Sequence, residues 1–190
     1  MMHVGQIIQI GRNRDRRPCR PDPFPMTGRL AGSQPLFKTV RPDPLPYKWF
    51  DQPFSPWIGC SKISPACLHC FAEGRATKYG LAVWGLSAQR QFGEEEVWQL
   101  PPKWNQQAAR EGRRWRIFAG VLCDLCEDRP ELQAPRERLK ELITCTPNLD
   151  WLLVTKRPAG LLTFFKPDWW IRCPHAWAIV TTENQAQLDR

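Results

Sequence analysis

Two kinds of apolar segment are missing from this sequence. No stretch approaches the ~18 uninterrupted apolar residues that a membrane span requires. The N-terminus also lacks the apolar core and small-residue cleavage site of a signal peptide. We therefore expect a cytoplasmic protein that makes no membrane contact. In that compartment the eight cysteines should stay reduced, which favours metal binding or simple burial over disulfide formation.

The first 46 residues contain none of the ten tryptophans and eight of the 19 prolines. Most of the net charge of +8 also lies near this end, because residues 1–50 carry nine Lys/Arg against three Asp. Residues 51–190 are nearly balanced, with eighteen Lys/Arg against sixteen acidic residues. Alternating prolines exclude both helix and sheet. We predict a disordered, basic, Pro/Arg-rich tail over residues 1–46 that could contact nucleic acid, and a folded domain over residues 47–190.

Short apolar runs alternate with helical patterns in the second part of the chain. The runs recur at intervals of about 30 residues, which is the size of a βαβ unit. Nearly continuous apolar strands between helices predict a parallel sheet, either in a (β/α) barrel or in an open doubly wound fold. The predicted strands are residues 115–122, 149–155 and 177–181, and the predicted helices are 71–79, 104–114, 133–146 and 157–165, with another starting at Glu183.

Three cysteines, Cys60, Cys67 and Cys70, lie within eleven residues of one another. An odd number of neighbouring thiols cannot pair off into disulfides, and thiolates are the usual protein ligands of iron–sulfur clusters. Three ligands would leave one iron of a [4Fe–4S] cluster open to a small molecule. A closed structural zinc site would need a fourth ligand, which His69 could supply. The loop predicts a reactive metal site.

A second cysteine pair, Cys123 and Cys126, follows the first predicted strand. Together with Cys67 and Cys70 it could form a four-thiolate zinc site. However, zinc sites of that kind prefer two short hairpin turns, and this pair comes directly after a buried strand. We favour the interpretation that Cys123 and Cys126 are small apolar residues that fill space at the strand end.

Polar residues follow each of the three predicted strands. These residues are Asp124 after the first strand, Thr155, Lys156 and Arg157 after the second, and Glu183 after the third. In parallel α/β folds the strand ends at one edge of the sheet gather functional groups. Lys156 and Arg157 could clamp a carboxylate or phosphate, since arginine offers a planar fork. We predict that these five residues contact a cofactor or substrate.

The segment from Trp57 to Glu73 resembles the opening signature of the phage gene-product-37/68 family, a domain of unknown function found in phages and bacteria. The resemblance covers about residues 47–190. Further matches follow in the same order at residues 102–104, 117–119, 151–158 and 180–185.

This resemblance implies a radical-SAM-like protein, a barrel in which Cys60, Cys67 and Cys70 bind a [4Fe–4S] cluster and the open iron binds S-adenosylmethionine. It also implies reductive cleavage of that cofactor to a 5′-deoxyadenosyl radical. The spacing is C-x6-C-x2-C here, where radical-SAM proteins usually have C-x3-C-x2-C. We therefore expect an α/β fold that is a partial (β/α) barrel of radical-SAM type with parallel strands. The substrate is not indicated.

Two other interpretations stay open at this point. One is a zinc-stabilised module that binds nucleic acid or protein, and the other is an inactive remnant of a phage or mobile element. Only three strands can be predicted, whereas a closed barrel needs about eight. We therefore expect that a second polypeptide completes the barrel, or that the isolated chain is poorly soluble.

Overall fold

The computed structural model describes residues 49–187. The predicted tail over residues 1–46 therefore lies outside the described residues. Within the described part the chain forms a mixed α/β fold of short strands and helices. The strands are β1 (Gln52–Phe54), β2 (Trp57–Ile58), β3 (Gln91–Phe92), β4 (Trp115–Ala119), β5 (Leu149–Thr155) and β6 (Ala176–Val180), and the α-helices are α1 (Phe71–Lys78), α2 (Glu95–Trp98), α3 (Leu100–Glu111), α4 (Gln133–Cys145), α5 (Pro158–Phe164) and α6 (Pro167–Arg172).

The main sheet contains four parallel strands in the order β1-β4-β5-β6, and β2 pairs with β3 in a separate antiparallel ribbon. Each successive strand of the main sheet is added at the same edge. Since βα crossovers are right-handed, this order places the connecting helices on one face. The prediction of a parallel α/β sheet is confirmed. The four strands do not close on themselves, so the described residues do not establish a barrel.

The hydrophobic core lies between that face of the sheet and the helices. Ile117 of β4 and Trp151 of β5 are fully buried, and they share the core with Leu139 and Ile143 of α4. Full burial of each such side chain contributes about 1.5–3 kcal/mol. Trp177 of β6 lies on the outer edge strand and is 55% exposed. No helix within residues 49–187 is long and apolar enough to cross a membrane.

The strongest apolar patterns correspond well to the observed elements. The predicted strand 149–155 is β5 residue for residue, and the predicted helix 133–146 ends one residue earlier, at Cys145. The first predicted strand ends early, at Ala119, because Gly120 takes a positive φ of 91°. The predicted helix 104–114 is displaced: α3 begins at Leu100 and ends before Gly112, whose φ is 64°.

Several elements differ from the sequence expectations, because strands β1, β2 and β3 and helices α2 and α6 were not predicted. Strand β1 was not predicted, because its three residues include a proline and show no apolar alternation. Helix α6 was also missed, although it begins with Pro167, a residue tolerated in a first helical turn. The helix expected from Glu183 is, within the described residues, only a 3-10 turn over Gln185–Gln187.

A second, smaller core supports the cysteine loop. Ile58, Ala72, Ala76, Val83 and Leu122 pack together and are all buried. These residues come from β2, from α1 and from the segments that follow α1 and β4. Because this cluster joins α1 to the end of β4, the cysteine loop between β2 and α1 is held over the carboxyl edge of the main sheet.

Candidate functional site

A cavity of about 320 Å³ opens at the carboxyl edge of the sheet. Cys60, Cys67 and Cys70 all line it, and each side chain is half-buried. The strand ends line it as well, through residues that follow β4, β5 and β6. The structure therefore brings the three predicted ligands and four of the five predicted strand-end residues to one cavity, whereas Glu183 does not line it.

The path of the cysteine loop depends on Gly59. Its φ is 116°, a conformation that favours glycine, and it pairs with Cys123 in an isolated parallel bridge. A Cβ atom built there would lie 2.4 Å from the carbonyl oxygen of Val83. Past Gly59 the chain forms a 3-10 turn over Pro65–His69 and then enters α1, with Cys70 as its N-cap. The turn and the helix start thus place the second and third cysteines.

Asp124 connects the ends of β4 and β5. Its Oδ1 accepts hydrogen bonds from the Thr155 hydroxyl (2.6 Å) and from the amide of Cys126 (3.0 Å). Its Oδ2 accepts bonds from the Arg157 guanidinium (2.8 Å) and from the amide of Lys156 (3.1 Å). Four donors from the protein thus surround this carboxylate, which is 6% exposed as a residue. Its contacts fix the strand-end residues of β5.

Arg157 reaches from the end of β5 to the first cysteine. Its Nη1 donates to the Sγ of Cys60 over 3.6 Å, and its Nη2 donates to the backbone oxygen (2.8 Å) and hydroxyl (2.9 Å) of Ser61. The same guanidinium pairs with Asp124. Arg157 therefore holds the start of the cysteine loop against the sheet.

Glu183, which follows β6, contacts another part of the cysteine loop. Its carboxylate accepts hydrogen bonds from the Ser64 hydroxyl (2.5 Å), the Ala66 amide (3.2 Å) and the Lys156 ammonium (2.7 Å). These bonds, of which that from Lys156 has the largest effect, hold the pKa of Glu183 at about 2. Ser64 in turn lies 3.3 Å from the Sγ of Cys67. Glu183 thereby ties β6 to the turn that carries the second cysteine.

Sequence reasoning missed a buried ion pair beneath the loop. Glu127 pairs with Arg90, and both side chains are almost fully excluded from solvent. Arg90 donates two hydrogen bonds to the Glu127 carboxylate and three to the backbone oxygens of Val83, Gly85 and Ala88. Glu127 also accepts a 2.7 Å bond from the Ser61 hydroxyl. Burial acts to raise the pKa of Glu127, but the bonds from Arg90 and Ser61 outweigh it, and the pKa lies below its usual value.

The second cysteine pair divides between two environments. Cys126 is buried in the main core, as expected for a small apolar side chain, whereas Cys123 lines the cavity. His69 also lines the cavity, although it is exposed to solvent. Among the described residues, no three His, Cys, Asp or Glu side chains are grouped so as to hold one metal ion.

The thiols of the cavity differ in acidity. Burial raises the pKa of Cys60 to about 11, although Arg157 opposes the shift. Burial likewise raises the pKa of Cys123 well above its usual value. Burial acts in the same direction on Cys67, but hydrogen bonds with the Ser64 hydroxyl and with the backbone outweigh it, so that this pKa is lowered. A metal would have to displace a proton from Cys60, since metal ligands are thiolates.

The types of donor in the cavity, though not their present spacing, match the group that the sequence implies. Three soft thiol ligands line one cavity, and the cavity falls within the size range of small-molecule sites. Phe71, Trp84 and Phe118 supply much of the remaining wall. Apolar and aromatic walls with few polar groups are typical of sites for organic ligands. The donor types and the walls therefore suit a cluster and a small organic molecule, but the three thiols would have to move closer together to bind one metal group.

Comparison with known proteins identifies a family. The profile of a family described as Protein of unknown function (DUF5131) matches residues 46–190. No curated protein and no solved structure matches the chain. The matched region includes the cysteine loop and all the strands and helices of the described fold. Because the match covers well over half of the sequence, this chain belongs to the DUF5131 family.

Proposed function

We propose that the protein binds a [4Fe–4S] cluster through Cys60, Cys67 and Cys70 and binds S-adenosylmethionine in the same cavity. One observation carries the proposal: three thiols from a single loop line a cavity of about 320 Å³ at the carboxyl edge of a parallel sheet. When bound, such a pair would supply one-electron reductive cleavage of a sulfonium, and hence radical chemistry. The substrate would enter the same cavity.

The protein's own residues would orient the bound groups. The cysteine loop presents its thiols over the sheet, and the second core holds α1 behind them. The aromatic wall would pack against the organic part of a bound molecule. Lys156 lines the cavity while its ammonium pairs with Glu183 over 2.7 Å, so the carboxylate of an amino-acid ligand would have to share that ammonium. We keep Asp124, Thr155, Lys156, Arg157 and Glu183 as predicted contributors to cofactor binding.

Anaerobic reconstitution with iron and sulfide tests this function. We expect brown protein with about four irons and four sulfides per chain, and an electron paramagnetic resonance signal in the reduced state that changes when S-adenosylmethionine is added. Replacement of Cys60, Cys67 or Cys70 by Ala should each abolish iron retention. Cys126→Ala is the matched control, because that thiol lies in the core and away from the cavity.

A zinc-stabilised module for nucleic acid or protein is the alternative, and Cys123 and His69 at the cavity support it as further ligands. In that case, protein purified without reconstitution should hold one zinc per chain, and added iron and sulfide should not be retained. An inactive remnant would hold neither metal. The same metal analysis therefore separates all three interpretations.

The second polypeptide expected from the sequence stays a prediction. Strand β6 forms one edge of the sheet in the described residues, and its Trp177 and Val180 are exposed. Exposed apolar edge strands favour association. Sedimentation of the purified chain measures its association directly. A monodisperse, cooperatively unfolding monomer that cleaves S-adenosylmethionine would refute the need for a second polypeptide.

A further inference from the structure

We infer that Arg157 is a positioning residue that fixes Cys60 and Ser61 before any metal binds and hydrogen-bonds the Cys60 sulfur afterwards. The second half of this inference rests on the proposed function, whereas the first half does not. Sequence analysis placed Arg157 against a cofactor or substrate. In the structure its guanidinium contacts the cysteine loop itself.

Asp124 holds one side of the guanidinium. Asp124 binds Nη1 over 2.8 Å, and Asp124 is itself fixed by the Thr155 hydroxyl and by backbone amides. The amide of Arg157 donates to the same Thr155 hydroxyl over 2.9 Å. The side chain is about 16% exposed, so these bonds lie in a partly desolvated environment. A charged fork anchored in this way has little freedom to turn towards a ligand.

The free side of the fork is occupied by the loop. Nη2 donates to both oxygens of Ser61, and Nη1 lies 3.6 Å from the Cys60 sulfur. The Glu127 carboxylate accepts a 2.7 Å hydrogen bond from the Ser61 hydroxyl. Ser61 is therefore clamped between a cation from the end of β5 and a carboxylate from the segment after β4. Because Cys60 is the neighbouring residue, its position is fixed as well.

This clamp makes Cys60 different from the other two cysteines. Cys67 belongs to an outer 3-10 turn and Cys70 to the helix start, whereas Cys60 lies next to a guanidinium. Hydrogen bonds to ligand sulfurs are among the factors that set the reduction potential of a cluster. A cation with an N–H···S bond stabilises the more negative, reduced state. Arg157 should therefore raise the potential of a cluster bound here.

Arg157→Gln tests both halves, and Lys62→Gln is the matched control. Lys62 is another cation of the same cavity wall, but its ammonium pairs with Glu73 over 2.8 Å. In metal-free full-length protein, we expect Arg157→Gln to speed hydrogen exchange of the Gly59 and Gly85 amides at least about tenfold. Gly59 directly precedes the fixed residues, and the Gly85 amide bonds to the backbone oxygen of Cys60. Lys62→Gln should leave exchange over those residues nearly unchanged.

In reconstituted protein, a redox titration followed by electron paramagnetic resonance should show a lower potential for Arg157→Gln. The expected change is about tenfold in the reduced-to-oxidised ratio, which is about 59 mV for one electron. Lys62→Gln should shift the potential by much less. Arg157→Lys keeps the charge but cannot span three partners. Hydrogen exchange in this variant should therefore be faster than in the wild type. The reduction potential of its cluster should stay closer to the wild-type value.

The hydrogen-exchange measurement and the redox titration test the two halves of the inference independently. Unchanged hydrogen exchange in folded Arg157→Gln and Arg157→Lys would overturn the positioning role, whatever metal is bound. If wild-type protein takes up no cluster, the proposed function fails, and the exchange arm still decides the role of Arg157. If a cluster binds and its potential is the same in Arg157→Gln as in wild type, the effect on the cluster is refuted. Should Arg157→Gln not fold, Arg157→Lys and Ser61→Ala provide the exchange measurement.

Discussion

Arg90→Met removes the positive member of the buried ion pair that supports Ser61. In the wild type, Arg90 uses all five of its N–H groups, two on Glu127 and three on backbone oxygens. The methionine would fill part of the space but would leave the Glu127 carboxylate, with 3% side-chain exposure, bonded only to the Ser61 hydroxyl. Removal of one partner of a buried pair costs about 3–5 kcal/mol, because the other charge stays buried.

The free energy of unfolding, measured by urea titration, should therefore fall by about 3–5 kcal/mol in Arg90→Met. The matched control is Arg113→Met. Arg113 pairs with Asp51 over 2.9 Å, but its side chain is 52% exposed, so we expect a loss of less than about 1 kcal/mol. Equal losses in the two variants would refute the reasoning, since burial would then not decide the cost.

Acidification provides an independent check on Arg90→Met. The lowered pKa of Glu127 contributes stability to the wild type above the unfolded-state pKa, and this contribution is lost as pH falls. Without Arg90, burial should instead raise that pKa, so that protonation favours the folded variant. The stability difference between wild type and Arg90→Met should therefore shrink from about pH 7 to about pH 4. A difference that grows on acidification would contradict this account.

Outcomes are also expected for four further variants. Cys123→Ala should retain nearly all of the reconstituted iron, and loss as complete as that in Cys67→Ala would instead support a four-thiolate site. Gly59→Ala should lower the urea midpoint strongly, because of its positive φ and the backbone oxygen 2.4 Å from the new Cβ. Gly74→Ala, in open space within α1, should raise the midpoint slightly. Glu183→Gln should lower the midpoint at neutral pH. The difference from wild type should disappear as pH falls from about 4 towards about 2, because the depressed pKa of Glu183 contributes stability only above that range.

Long apolar runs made most of the main sheet predictable. Strand β5 and helix α4 were recognised with nearly correct ends, because seven mostly buried residues and a helical apolar face are strong local signals. Strand β1 carries no such signal. Its three residues become a strand because they pair with Ile117, Phe118 and Ala119 of β4, and that pairing spans more than 60 residues of chain.

Local sequence signals also made part of the candidate site predictable. The spacing of Cys60, Cys67 and Cys70 indicated their common role, because residues within one short loop must lie near one another. The strand-end positions of Asp124 and Arg157 also indicated a shared edge, since parallel strands end on the same side of a sheet.

The sequence by itself thus determined the alternation of strands and helices and the loop that carries the thiols, since both are local properties of the chain. Only the tertiary structure decided the partners of that loop. Arg90 and Glu127 are 37 residues apart, and Glu127 reaches Ser61 across 66 residues. Nothing in the neighbourhood of either charge reveals the other, because a buried ion pair forms only when the sheet, the loop and the second core have come together.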